Sequence, residues 1–294
     1  MKVILKITFL PVLLLALAMA AFADGVALYN TIPSPLPPNL VSLGYEANSI
    51  SAFGDLIQFQ GDSSTYALTS ATVVLSDQSY LANWSSAVNG TTITDSGFYL
   101  PLTLNIYSVG SGNSAGALIA TQTIENAFIP WRPDPTAGCG NGYLASDGLC
   151  HSGSLASVTF NLGGLEVPDR IIYSLAFNTT DNGAGQTNVP GPYDSLNFAL
   201  ATTPPTAGSN PLPDTGYYTD SGTGVFHQDT GWTPYSGAVE FSGQAWSAEA
   251  GASDQLQSAS APEPSSLLLL ATGVCGLTLL LMRRGRVRLQ LRKL

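Results

Sequence analysis

Between residues 24 and 261 the chain contains no long stretch with the period of an amphipathic helix. Short runs of β-branched and aromatic residues alternate with turn residues, and the whole chain has 30 glycines and 19 prolines. Over residues 102–109, leucine and isoleucine alternate with threonine and asparagine, as in a strand with one buried face. The pattern predicts an all-β fold, either a β-sandwich or a jelly roll.

Eight segments have the length and composition of strands. They are residues 56–60, 66–75, 102–109, 116–124, 156–162, 170–178, 196–201 and 238–243. The glycine-rich segment 110–116 is predicted to join two of them as a hairpin. We expect one sandwich domain over residues 24–247, entered through an extended proline-rich segment at residues 33–38.

The first 23 residues have the order of a secretory signal peptide. Two lysines precede an apolar stretch over residues 7–22, and Ala21 and Ala23 provide the small residues that signal peptidase requires. We therefore predict cleavage before Asp24. The alternative is an uncleaved N-terminal anchor, for which the small-residue pattern would be a coincidence.

A second apolar stretch, residues 267–282, is followed by a basic cluster that begins with Arg283, Arg284 and Arg286. Basic flanks stay on the cytoplasmic side, so this pattern predicts a single short transmembrane helix with the domain outside the cytoplasm. The stretch is shorter than the roughly 20 residues of an ordinary span. The alternative is a buried core helix. Residues 248–261, which are small or polar, are predicted to be a flexible linker.

The segment between the two ends is strongly acidic. From residue 24 to residue 262 there are two strong bases, Arg132 and Arg170, against 19 acidic residues, which gives a formal balance of −17. Such a charge repels nucleic acid and anionic lipid, so nucleic-acid binding is excluded. The chain has no lysine between Lys6 and Lys293, which excludes Schiff-base chemistry in this segment.

Cys139 and Cys150 flank a glycine-rich loop. An exported protein meets an oxidising environment, in which two nearby thiols pair, so we predict a disulfide. The alternative is a zinc site formed by these cysteines and His151, although no fourth ligand lies nearby in the sequence.

Ser114 lies in a G-x-S-x-G pattern at residues 112–116, as a hydrolase nucleophile would. His151 and His227 are the two candidate bases. The segment after the pattern has the composition of a strand, whereas a nucleophile elbow leads into a helix. We therefore predict no enzymatic activity. A secreted serine esterase, with Ser114 as its nucleophile, is kept as a less favoured hypothesis behind the two main ones given at the end of this subsection.

Four aromatic residues near His227 could stack on a sugar ring: Tyr217, Tyr218, Trp232 and Tyr235. The alternative is ordinary packing in the core or at its rim, because sandwiches also bury aromatic residues.

No cofactor or metal is expected from the composition, with calcium as the one candidate ion. Asp181, Asn182 and Asp194 offer hard oxygen ligands in predicted loops, but their spacing matches no EF-hand. Turn formation explains these three residues at least as well.

Residues 262–294 begin with Pro262, Glu263 and Pro264 and continue through two serines, the apolar stretch and the arginines. This order resembles a PEP-CTERM sorting signal. The resemblance implies a Gram-negative bacterium that makes exopolysaccharide, and an exosortase, a membrane-embedded cysteine protease and transpeptidase-like enzyme, that reads the tripeptide. It also implies a transient span followed by an arginine stop signal. The tail over residues 287–294 extends past the usual arginine end.

Two main hypotheses follow. The first is a non-catalytic cell-surface or extracellular-matrix protein, anchored transiently in the inner membrane and then sorted to the surface or the medium. Its expected partners are signal peptidase, the exosortase-type enzyme and the inner membrane, with exopolysaccharide as a further candidate. The second is a carbohydrate-binding module of the envelope, which saturable sugar binding would distinguish from the first.

Overall fold

Strands dominate the computed structural model of the chain, which describes residues 25–84, 92–224, 226–231 and 236–246. The strands are β1 Val26–Asn30, β2 Ser42–Gly44, β3 Ile50–Gly54, β4 Leu56–Gln58, β5 Thr65–Asp77, β6 Thr92–Thr94, β7 Gly97–Val109, β8 Ala115–Pro130, β9 Tyr143–Leu144, β10 Cys150–His151, β11 Ser154–Pro168, β12 Arg170–Ala176, β13 Leu196–Ala201, β14 Thr215–Asp220, β15 Phe226–Thr230, β16 Ser236–Gly237 and β17 Val239–Ala245. The short helix α1 covers Tyr45–Asn48, and 3₁₀ turns cover Leu81–Asn83, Ser111–Asn113 and Pro192–Ser195. The predicted all-β class is confirmed.

The first sheet is built around β5. Within the described residues its order is β1-β17-β5-β13-β16, with β11 also paired to β5 and β2 to β13. All of these pairs are antiparallel. The long β5 strand pairs with β11 along one edge and with β17 and β13 along the other, which places it in the middle of the sheet.

The second sheet is also antiparallel and has the order β15-β14-β3-β12-β7-β6 in the described part of the chain. β4 follows β3 along the same edge of β12, and β8 pairs with the other edge of β7. The turn over residues 110–114 joins β7 to β8, which confirms the predicted hairpin. A separate small sheet of β9 and β10 lies in the loop between β8 and β11.

The two large sheets share one apolar core, the arrangement of a β-sandwich. Phe53 of β3 lies 6.3 Å from Phe198 of β13, measured between ring centroids, in an edge-to-face pair. Tyr173 of β12 and Phe241 of β17 lie 5.4 Å apart. Each pair joins one sheet to the other, so aromatic contacts fix the distance between the sheets.

All eight predicted strands are present, and several extend beyond the predicted bounds. The alternation predicted over residues 102–109 is confirmed, because Leu102, Leu104 and Ile106 are buried in the core. Nine of the described strands were not predicted: β1, β2, β3, β6, β9, β10, β14, β15 and β16. They are short, or they are rich in glycine, threonine and aspartate, so their local composition is that of turns.

The described residues all belong to one compact unit, which spans residues 24 to 246. None of the helices described here has the length and apolar character needed to cross a bilayer. The predicted signal peptide, the predicted linker and the predicted C-terminal span lie outside the described residues.

Candidate functional site

Cys139 and Cys150 form a disulfide with their Cα atoms 5.4 Å apart, as predicted. Because each sulfur is bonded to the other, neither is a free thiolate for the alternative zinc site. His151 instead places Nε2 at 2.8 Å from Oδ2 of Asp147. The Leu149 N–H and then His151 lower the pKa of Asp147, so this carboxylate helps to order the disulfide loop.

Arg132 is only 4 % exposed and anchors the same loop to the sandwich. Its guanidinium donates to the carbonyl oxygens of Gln78 at 2.7 Å, Pro133 at 2.9 Å and Asn141 at 2.7 Å. It also lies 4.3 Å above the ring of Tyr80. These contacts engage the guanidinium group within the protein. Arg132 therefore has a structural role and offers no exposed surface to a ligand.

Asp77 is buried next to Arg132 at the end of β5. Its Oδ1 accepts hydrogen bonds from the N–H and the hydroxyl of Ser79, at 3.0 and 2.6 Å. Burial raises the pKa of Asp77 to about 7, against the lowering effects of Ser79 and Arg132. This carboxyl holds the corner where β5 turns out of the sheet.

Asp55 lies between the two sheets, at the break between β3 and β4. Its Oδ2 accepts hydrogen bonds from the Tyr173 hydroxyl at 3.1 Å and from the Gly237 N–H at 2.7 Å. Burial raises the pKa of Asp55 to about 7, although both hydrogen bonds lower it. The side chain links β12 to β16 and is closed off from solvent, so it has a structural role.

An open cleft of about 510 Å³ lies beyond the second sheet, between the β7–β8 turn and the start of β12. We call it the outer cleft, and its principal lining residues are Ser108, Gly110, Asn113, Pro168, Asp169 and Arg170. The Arg170 Nη2 donates to Oδ1 of Asn113 at 2.8 Å, which joins the two walls of the cleft. Its volume falls within the roughly 300–1,000 Å³ of small-molecule sites.

The charged groups of the outer cleft are incompletely paired. The Nε of Arg170 is buried and has no hydrogen-bond partner in the part of the chain that the structure describes. Asp169 lines the same cleft and forms no ion pair within those residues. The cleft is thus lined by one basic and one acidic residue that form no ion pair with each other, so both side chains keep hydrogen-bonding capacity.

An aromatic cluster borders the outer cleft on the same face of the sheet. Tyr107 and Phe226 are both half-buried, with ring centroids 5.3 Å apart. They pack against a small apolar group that includes Val109, which lines the cleft, and the buried Tyr217. The aromatic surface and the polar cleft are therefore continuous.

Tyr217 is fully buried and offers no exposed ring face. Its hydroxyl donates to the carbonyl oxygen of Asn113 at 2.6 Å, and burial raises its pKa to about 12. Tyr218, the next residue of the strand, packs against the main core. Its ring stacks on that of His227, with the ring centroids 5.2 Å apart. The two tyrosines do not form one platform, and the other two predicted members, Trp232 and Tyr235, lie outside the described residues.

Ser114 lies at the end of the hairpin turn and leads directly into β8. Its hydroxyl donates to the carbonyl oxygen of Ser111 at 2.8 Å. The G-x-S-x-G pattern therefore belongs to a strand–turn–strand unit, and its glycines and serines shape the turn.

Two of the three residues proposed as calcium ligands, Asp194 and Asn182, are used in loop hydrogen bonds. Asp194 accepts from the N–H and hydroxyl of Thr180, at 2.8 and 2.6 Å, and from the Gly191 N–H at 3.0 Å. Asn182 is buried and donates from Nδ2 to Glu46 at 3.0 Å. The described residues contain no group of three or more His, Cys, Asp and Glu side chains suited to a metal ion.

The residues of the two terminal signals lie outside the described residues. They are Ala21, Ala23, Asp24, Pro262, Glu263, Pro264, Arg283, Arg284 and Arg286. The prediction of cleavage and sorting at these positions is therefore unchanged.

No pattern in the sequence predicted the outer cleft. One signal was present: Arg132 and Arg170 are the only strong bases between residues 24 and 262, so each needed a specific explanation. The structure assigns Arg132 to the disulfide loop and Arg170 to the cleft. Comparisons of the chain with protein-family models, with curated proteins and with solved structures found no match.

Proposed function

We propose that this chain is an exported, non-catalytic protein of the cell surface or extracellular matrix. The observation that carries the proposal is the disulfide between Cys139 and Cys150. Structural disulfides form and persist outside the reducing cytoplasm, so the bond indicates the same destination as the predicted signal peptide.

The route has two processing steps. Signal peptidase cuts before Asp24, and the apolar stretch over residues 267–282 then holds the chain in the inner membrane as a single short helix. An exosortase-type enzyme recognises residues 262–264 and releases the domain. The resemblance to PEP-CTERM signals supports this second step, as does the agreement in direction between the basic residues at the two ends.

A non-catalytic role is supported by how the candidate reactive groups are used. The hydroxyl of Ser114 is bonded within its own hairpin turn. The buried carboxyls of Asp55 and Asp77 accept hydrogen bonds from neighbouring backbone and hydroxyl groups inside the fold. These groups connect segments of the sandwich, and solvent does not reach the two carboxyls.

Intact-mass spectrometry of the protein from cells and from culture medium tests the proposal. We expect an N terminus at Asp24, a C terminus close to residues 262–264, and a mass two protons below that of the reduced form. Glu263→Ala should block only the C-terminal step. Glu249→Ala is the matched control, because it deletes a carboxylate from the predicted linker and leaves the tripeptide unchanged. This variant should be processed normally. Recovery of the full 294-residue chain with reduced cysteines would refute the proposal.

A further inference from the structure

The outer cleft has walls that are held in place before any ligand arrives. Asn113, at the tip of the hairpin turn, adopts a left-handed backbone conformation with φ of 63°. Its carbonyl oxygen accepts from the Tyr217 hydroxyl, and its side chain accepts from Arg170. Anchoring a turn residue to two other strands reduces the conformational entropy that binding would otherwise cost.

The polar groups of the cleft include both donors and acceptors. Arg170 has five N–H groups, of which one on Nη2 is donated to Asn113 and the one on Nε is buried without a partner within the described residues. The donors left for a ligand are therefore the other N–H groups on Nη1 and Nη2. Asp169 supplies carboxylate oxygens, which only accept. A ligand that matches this pair must both donate and accept at neighbouring atoms, as the vicinal hydroxyl groups of a sugar do.

Next to these groups, Tyr107 and Phe226 provide a half-buried apolar surface. Aromatic rings can pack against the C–H face of a sugar ring while the hydroxyl groups at its edge reach polar side chains. Phe226 and Tyr107 belong to the same apolar group as Val109, and Val109 and Arg170 both line the cleft. The surface is therefore apolar at one end and polar at the other.

Charge selects among the ligands of this kind. Asp169 offsets Arg170 within the cleft, and the surrounding segment from residue 24 to residue 262 has a formal balance of −17. The Asp169 carboxylate and the negative charge of the surrounding segment would both repel a carboxylated or sulfated sugar, whereas they would not repel an uncharged sugar. We propose that the outer cleft binds a neutral oligosaccharide, with Asp169 and Arg170 bonding its hydroxyl groups and with Phe226 and Tyr107 packing against a ring.

Titration calorimetry of the full-length chain in mild detergent tests the proposal. The probes are short neutral α-glucans, β-glucans, mannans and galactans, with oligogalacturonate as the anionic comparison. We expect saturable binding of at least one neutral probe. Asp169→Asn keeps the shape of the side chain but removes a charge-assisted acceptor, so it should weaken that binding by about tenfold. Phe226→Ala should weaken it by a comparable factor.

Two variants serve as matched controls for these changes. Glu166→Gln removes an exposed carboxylate of β11 outside the cleft, and Phe128→Ala removes an exposed aromatic ring at the far end of the β7–β8 hairpin. Both should bind as the unmodified chain does, and thermal unfolding of all four variants verifies that they are folded. The proposal is overturned if no neutral probe binds, if the anionic probe alone binds, or if the cleft variants bind normally. None of these results would affect the proposal on export, which depends on the processed masses.

Discussion

At the scale of single residues, the sandwich contains two carboxyl groups where apolar side chains would normally pack. Asp55 and Asp77 are each buried, and for both the desolvation of the charged form is the largest influence on the pKa. Each accepts hydrogen bonds that tie chain segments together, at the centre of the sandwich for Asp55 and at the corner after β5 for Asp77. The protein therefore keeps these groups as connectors at an electrostatic cost.

This cost should be visible in the pH dependence of stability. The pKa of Asp55 rises from 3.8 to about 7 in the folded protein, so between these values the folded state holds a proton that the unfolded state releases. The free energy of unfolding should therefore fall as the pH rises from 4 to 8, by on the order of a few kcal/mol. Asp77 contributes in the same direction.

Urea unfolding of Asp55→Asn at pH 5 and at pH 8 isolates the contribution of Asp55. The unfolding free energy of Asp55→Asn should change less between pH 5 and pH 8 than that of the unmodified chain does. The exposed Asp62→Asn variant corrects for the loss of one negative charge. Equal pH differences in Asp55→Asn and in the unmodified chain would contradict the assignment.

At the scale of strands, the second sheet depends on a break between β3 and β4. Gly54 ends β3, and a Cβ atom at this position would overlap the carbonyl oxygen of Tyr173 on the neighbouring strand β12. Glycine allows the two backbones to approach each other and lets the following residue, Asp55, turn into the core. Local composition alone would assign this glycine to an ordinary turn.

Gly54→Ala should lower the free energy of unfolding by about 2 kcal/mol or more, because β3 or β12 must shift to admit the methyl group. Gly112→Ala is the comparison: its φ is 66°, but no atom lies within 4 Å of the added Cβ, so the cost should be about 1 kcal/mol from backbone strain alone. Urea unfolding measures both variants. Gly54→Ala with unchanged stability would show that the strands separate easily at this point.

At the scale of the whole molecule, the segment between the terminal signals has a large excess of negative charge. Of its two arginines, Arg132 is bonded to carbonyl oxygens inside the fold and Arg170 lies in the outer cleft. Neither forms an ion pair with an acidic side chain within the described residues. Repulsion among the acidic side chains is therefore balanced mainly by the packing of the sandwich.

Salt should stabilise the protein by screening this repulsion. Raising NaCl to about 0.5 M should raise the Tm by about 2–4 °C, which corresponds to roughly 1 kcal/mol for a domain of this size. Differential scanning calorimetry measures the change. CaCl₂ and MgCl₂ at equal ionic strength provide the control: a larger shift with calcium would indicate a specific calcium site, and a lower Tm in salt would contradict the repulsion argument.

The features that were predicted from the sequence are local ones. The alternation in β7, the composition of β5, β8 and β11, and the pairing of cysteines only 11 residues apart each depend on residues close together in the chain. The outer cleft, by contrast, needs Tyr217 to reach Asn113 across 104 residues and Arg170 to reach the same residue across 57. Local periodicity shows which face of a strand is buried, but the neighbour of each strand follows from packing free energy over the whole fold. For this reason the class of the fold and its disulfide could be predicted, whereas the burial of Tyr217 and the meeting of Asp169, Arg170 and the aromatic pair could not.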